Sequence, residues 1–275
     1  MVCSVAVAWS GQATQQGDPA KGKDQASEEK QTIERERAER LELMKKAAAD
    51  YEIYLGSDRT KKLNLRPEPI LRWANPVRDT VDAASFLWVS DGRPQVVACV
   101  YLCRVNEGQL AYHEFQSLSR SPLSAERDGQ TVWHPSQAGA ELKPVPDAPA
   151  PAREASLRLA QMRTLAREFS ASITAPESAW ELRLLPQPLY RYDSKDAELL
   201  DGGLFVFAQG TDPEVVLLLE ARRPDSGYSW QYAIARMCAW ALQAEHKGQA
   251  VWTVPTIRQH DPKEPYFMFR DKVRQ

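Results

Sequence analysis

The sequence predicts an α+β fold made by tandem duplication, in which each copy is a helix followed by a four- to five-stranded antiparallel meander. Three observations predict it: two amphipathic helical stretches, a match between the halves at a nearly constant offset, and a proline-rich stretch between them. A chain of 275 residues is long enough for two modest domains, each with its own buried core.

The two predicted helices cover residues 24–55 and 152–172. Each carries an apolar stripe whose members are three and four residues apart, so that all of them lie on one helical face. A shift of 118 residues turns the first stripe into the second. The stripes consist of Leu41, Met44, Ala48, Tyr51 and Leu55, and of Leu159, Met162, Ala166, Phe169 and Ile173.

The segments that follow the helices, residues 82–133 and 201–252, align without a gap at an offset of 119 residues. Short apolar runs rich in Val and Leu alternate there with turns that contain Gly or Asp, a pattern typical of antiparallel strands. Residues 235–246 have helical propensity, but their counterpart in the first half contains a proline, so a short helix and a loop both remain open.

These patterns predict the domain organisation. Residues 1–23 are a leader or a disordered segment, 24–134 the first repeat and 135–151 a proline-rich linker. Residues 152–275 are the second repeat, with a C-terminal tail that we expect to pack on the second sheet. The apolar stretch 2–9 resembles part of a secretory signal but lacks a preceding positive charge, so export to the periplasm and a cytoplasmic location both stay open.

The composition argues against several classes of partner. Lys and Arg number 35 and Asp and Glu 37, so no strong positive field attracts nucleic acid. The apolar runs are too short for a transmembrane helix. The four cysteines and four histidines do not cluster at ligand spacing, so we predict neither a metal site nor a cofactor.

Two resemblances add to this interpretation. The order of a helix followed by a meander is similar to cystatin-like or NTF2-like units, which implies a fold and no activity. The stretches Glu181–Tyr192 and Asp201–Arg222 resemble an uncharacterised bacterial family of the planctomycete type. That resemblance implies a bacterial protein and transfers no function or site residue.

Four polar residues that break the match between the halves are the candidate ligand-binding residues: His113, Glu220, Arg222 and Arg236. His113 is followed by Glu114, a pair suited to acid–base chemistry, but neighbouring strand residues point to opposite faces. A histidine in the core is therefore the alternative for His113. No residue is predicted to be catalytic.

The first functional hypothesis is a non-catalytic binding or scaffold protein, with a small molecule or peptide in a cleft between two pseudo-symmetric halves. The alternative is a hydrolase or isomerase whose site is retained in one half only. A third hypothesis is a subunit that oligomerises through its N-terminal helix.

Overall fold

A computed structural model describes residues 19–56, 59, 61–105, 108–175, 178–193, 198–223 and 227–272. The chain divides into two compact units, residues 1–40 and 41–275. In the first unit the described residues, 19–40, are helical and carry i,i+4 ion pairs such as Arg35 with Glu39. Most of the predicted leader, residues 1–18, lies outside the described residues.

Two α-helices, one 3₁₀ turn and nineteen strands make up the secondary structure of the described residues. The helices are α1 (Pro19–Ala49) and α2 (Ala155–Ala166), and the 3₁₀ turn is Pro76–Arg78. The strands are β1 (Tyr51–Leu55), β2 (Lys61–Lys62), β3 (Asn64–Leu65), β4 (Leu71–Asn75), β5 (Thr80–Ser90), β6 (Arg93–Val105), β7 (Gly108–Ser117), β8 (Leu123–Arg127), β9 (Gln130–Trp133), β10 (Lys143–Pro144), β11 (Phe169–Ala175), β12 (Ser178–Leu184), β13 (Tyr190–Tyr192), β14 (Leu199–Gln209), β15 (Asp212–Arg222), β16 (Ser229–Arg236), β17 (Leu242–His246), β18 (Gln249–Val254) and β19 (Tyr266–Lys272).

The predicted α+β class is wrong, because strands hold 52% of the residues and helices only 16%. Both predicted helices extend too far at their C-terminal ends. α1 ends at Ala49 and α2 at Ala166, and a strand begins within three residues of each helix end. Aromatic and β-branched residues take over at those points, and such residues fit a pleated, half-buried strand better than a helix. The last two residues of each predicted stripe therefore lie on a strand, β1 in the first half and β11 in the second.

The predicted duplication of a helix-and-meander unit, with its cystatin-like or NTF2-like order, is also wrong. In the first large sheet the order is β19-β7-β6-β5-β3, with β4 also paired to β5. β8 and β9 leave that sheet and form a small sheet of order β2-β1-β8-β9. The second large sheet has the order β10-β16-β15-β14-β12-β11-β17-β18, with β13 paired to β14. Long curled antiparallel sheets thus replace the predicted single meanders, because both faces of each central strand need cover.

The two large sheets pack face to face around a shared core. Alternate residues of β5 and β14 point into this interface, for example Leu87 from β5 and Leu204 and Val206 from β14. The intervening residues, such as Phe86 and Phe205, point to the opposite faces and belong to two outer cores. The long Val- and Leu-rich runs of these strands follow from burial on both faces.

Each outer core is closed by a helix end and by further strands. Met44 and Ala48 of α1, with Tyr51 and Ile53 of β1, cover the outer face of the first large sheet. Met162 of α2 does the same for the second. Most members of each amphipathic stripe are thereby buried, while Leu41, Leu55 and Leu159 stay partly exposed.

Two further predictions concern the later part of the chain. The expectation that the C-terminal tail packs on the second sheet is wrong: β19 pairs with β7 and extends the first large sheet, with Phe269 opposite His113. The ambiguous residues 235–246 are neither helix nor one loop, since β16 ends at Arg236 and β17 begins at Leu242. β19 carries Tyr266 to the junction of the two large sheets, which matters for the site below.

The Met162 side chain gives a test of the outer core of the second sheet. Met162 is fully buried, and its Sδ lies 3.0 Å from where a Cβ on Gly203 would stand. We expect Met162→Ala to lower the free energy of unfolding by about 2–5 kcal/mol, because it leaves a cavity that the packed strands fill only in part.

The matched control lies on the same helix. Leu157 is 53% exposed, so Leu157→Ala should change stability by no more than about 0.5 kcal/mol. Urea unfolding of both variants measures the difference. Equal losses for the two substitutions would show that α2 is not docked through Met162.

Candidate functional site

A cavity of about 330 Å³ lies where the two large sheets meet. Both sheets supply its walls, and β19 closes one side. Its lining residues come from the first half, the second half and the C-terminal strand in turn: Trp73, Arg78, Thr80, Tyr101, Cys103, Tyr112 and Glu114; Asp212, Met237, Cys238, Ala239 and Trp240; Tyr266 and Met268. We call it the inter-sheet cavity.

One wall of the inter-sheet cavity carries the carboxyl group of Glu114, in the middle of β7. Glu114 is buried, and the phenol Oη of Tyr266 donates a hydrogen bond to its Oε1. Burial raises the pKa of Glu114 well above its usual value, and the hydrogen bond from Tyr266 only partly opposes that rise.

Two more carboxylates stand at the start of β15, beside Arg78. Arg78 Nη1 lies 3.2 Å from Asp212 Oδ2 and 2.9 Å from Glu214 Oε1, and Asn75 Nδ2 donates to Asp212 Oδ2 at 2.9 Å. Because Arg78 and Asn75 belong to the first half, this cluster ties the two sheets together. Among the described residues, Glu114 has no cation within ion-pair distance, in contrast to Asp212 and Glu214.

The pKa values of the paired acids are also raised. Burial, and next the neighbouring Asp212 carboxylate, raise the pKa of Glu214 to about 7, although Arg78 acts to lower it. Burial raises the pKa of Asp212, although the hydrogen bond from Asn75 and the charge of Arg78 both act to lower it. Raised carboxyl pKa values in a concave site are typical of binding and catalytic centres.

Aromatic rings form much of the remaining wall. The Trp73 and Tyr101 ring centroids are 5.9 Å apart, and Tyr101 stacks on Tyr112 at 5.1 Å. Trp240 also lines the cavity and is 49% exposed, so an indole ring meets solvent there. An acidic cavity with several ring faces attracts a cation through both charge and the ring quadrupole.

The predicted site residue His113 does not line the inter-sheet cavity. It lies in the outer core, with Nδ1 2.9 Å from Tyr51 Oη and its ring stacked on Phe269 at 5.0 Å. Since side chains alternate along β7, His113 and Glu114 point to opposite faces of the sheet. The histidine is therefore a packed core residue, and its neighbour faces the cavity.

Glu220 and Arg222 belong to a different buried cluster that also joins the sheets. Arg93 Nε donates to Glu220 Oε1 at 2.9 Å, Tyr192 Oη donates to the same oxygen at 2.8 Å, and Arg222 Nη1 donates to Oε2 at 3.1 Å. Glu220 is fully buried, and both of its carboxylate oxygens accept hydrogen bonds. This cluster fits a structural ion-pair network better than a ligand site.

Arg236 lines a separate cavity, so the structure does not bring the four predicted residues together. The residues that the sequence reasoning missed are Arg78, Asp212 and the cavity-facing role of Glu114. A usable signal was present: Glu114 and Glu214 are carboxylates within strands whose neighbours are apolar or aromatic. Buried acids at such positions need partners or a function.

The comparisons with known proteins add no assignment. No helix among the described residues combines the length and apolar character that a membrane span requires. No protein-family description, no curated protein and no solved structure matches this chain.

Proposed function

We propose that the protein is a non-catalytic binding protein whose inter-sheet cavity takes a small organic cation. The observation that carries this proposal is the buried carboxyl of Glu114, which lies in an aromatic-lined wall with no cation within ion-pair distance among the described residues. Burying a carboxylate without a counter-charge costs free energy. A bound cation would offset that cost through its attraction to the carboxylate.

The size of the inter-sheet cavity favours a small molecule over a peptide. Its volume of about 330 Å³ lies at the low end of the range for small-molecule sites. The ring faces of Trp73, Tyr101 and Trp240 suit an alkylated ammonium group, since each cation–π contact contributes about 0.5–2 kcal/mol. The carboxyl of Glu114 would supply the charge.

Choline and its neutral isostere 3,3-dimethylbutan-1-ol test this proposal, because they share a shape and differ in charge. We expect choline to quench the intrinsic tryptophan fluorescence saturably and to bind at least tenfold more tightly than the alcohol. Affinity for choline should rise with pH, since a cation favours ionised Glu114 and its binding releases a proton.

The variant Glu114→Gln keeps the shape and a hydrogen-bond acceptor for Tyr266 but removes the charge, so it should weaken choline binding at least tenfold. Glu141→Gln is the matched control, because the Glu141 side chain is 80% exposed and lies outside the cavity lining. Equal binding of choline and the alcohol, or no effect of Glu114→Gln, would contradict the proposal.

A second function, a hydrolase or isomerase, is supported by one observation. A carboxyl whose pKa is raised by burial can donate a proton near neutral pH, and Glu114 lines the cavity beside Tyr266. For a hydrolase, we expect hydrolysis of p-nitrophenyl acetate that disappears in Glu114→Gln. Equal rates for the wild type and the variant would argue against this function.

A further inference from the structure

A second cavity, of about 430 Å³, shares Tyr266 with the inter-sheet cavity as a lining residue. Tyr266 lines both cavities, with its Oη directed to Glu114 and its ring centroid 5.6 Å from Arg236 Cζ. Glu114 does not line this second cavity, and Arg236 does not line the inter-sheet cavity. We call the second cavity the Arg236 cavity.

The Arg236 guanidinium is a buried cation with no carboxylate within ion-pair distance in the part of the chain that the structure describes. Arg236 is only 7% exposed, and its Nη2 donates to the carbonyl oxygens of Trp240 at 2.9 Å and Pro255 at 2.7 Å. Its Nε makes no hydrogen bond to any described residue. Asp261 and Glu264 also line the cavity, yet neither lies within ion-pair distance of Arg236.

The positive charge of Arg236 is therefore uncompensated by the described residues, and it lies in the wall of a cavity. Two carbonyls and one ring face solvate the guanidinium only in part, because an isolated buried charge normally requires an opposite charge. Burial lowers the pKa of Arg236, but arginine stays protonated at every physiological pH. A carboxylate is the partner whose two oxygens match the donor geometry of a guanidinium.

The rest of the Arg236 cavity wall is largely apolar. The apolar side chains that line it are Ile234, Ala235, Trp252, Val254, Pro255, Ile257 and Pro265. A ligand that fits both features has one carboxylate and an apolar body. We propose that the Arg236 cavity binds a small organic carboxylate, with Arg236 as the receptor of its charge.

Benzoate and benzamide are the probes, since they share an aromatic ring and differ in charge. Isothermal titration of the wild-type protein should show benzoate bound at least tenfold more tightly than benzamide. A wild-type protein that binds the two probes equally, or binds neither, would overturn the proposal without any variant being made.

Two variants locate the receptor. Arg236→Gln should abolish the preference for benzoate, while Arg258→Gln should keep it, because Arg258 lines the same cavity but is exposed. Loss of the preference in Arg258→Gln alone would overturn the role of Arg236. A cooperative urea-unfolding transition of Arg236→Gln checks that the variant is folded, whatever the outcome of the choline experiment.

Discussion

Glu220→Gln is expected to lower the free energy of unfolding by about 3–5 kcal/mol, because it removes the buried carboxylate that Arg93 and Arg222 share. Glu220 is fully buried, Arg93 is 8% exposed and Arg222 is 4% exposed. The substitution keeps the shape of the side chain and leaves Arg93 and Arg222 without their shared carboxylate. Since Arg93 lies on β6 and Glu220 on β15, the loss falls on the contact between the two large sheets.

Urea unfolding at neutral pH measures this effect, and Glu198→Gln provides the control. Glu198 also pairs with Arg222, with Arg222 Nη2 3.3 Å from its Oε2, but the Glu198 side chain is 63% exposed. An exposed ion pair contributes about 0–1 kcal/mol, so this control should remain close to wild type. If both substitutions cost the same small amount, the buried network does not hold the sheets together.

The second large expected effect is a dependence of stability on pH that originates in Glu214. Its pKa is raised by burial from 4.5 to about 7 in the folded protein, so the folded state holds a proton that the unfolded state releases at lower pH. The contribution of Glu214 to stability therefore falls as pH rises from 4.5 to about 7 and is constant above that range. A difference of roughly 2.5 pH units corresponds to about 3 kcal/mol.

Glu214→Gln, which cannot ionise, should be more stable than the wild type at pH 8, by about 2–3 kcal/mol. At pH 4 the two proteins should differ little, because Glu214 is protonated in both states. Part of the fall in stability with pH should persist in the variant, since burial also raises the pKa values of Glu114 and Asp212. Chemical unfolding at a series of pH values measures these differences, and parallel curves for variant and wild type would refute the assignment to Glu214.

The sequence was a good guide to where strands lie and a poor guide to how they assemble. Val- and Leu-rich runs separated by Gly and Asp turns predicted β6 and β15, and an antiparallel sheet is confirmed. The helical spacing of apolar residues wrongly placed Tyr51 and Phe169 on helices. Both residues begin buried strands, and an apolar residue three positions after a helical one can also belong to a strand. Pairing between β1 and β8 joins residues 68 to 76 positions apart, and no local pattern encodes such contacts.

The candidate site was predictable only in part. Its location at the junction of the halves followed from the cleft hypothesis, but its charged residues did not. The search for charges that break the match between halves found Glu220, which forms a structural ion pair, and passed over Asp212 and Arg78. Tertiary contacts decide whether a buried acid lies beside a cation. One such contact joins Arg78 of the 3₁₀ turn to Asp212 of β15.

A crystal structure of the protein soaked with choline tests the central claim most directly. We expect density for the trimethylammonium group in the inter-sheet cavity, next to Glu114 and against the rings of Trp73, Tyr101 or Trp240. Choline density elsewhere on the protein, with the inter-sheet cavity unchanged at a saturating concentration, would contradict it.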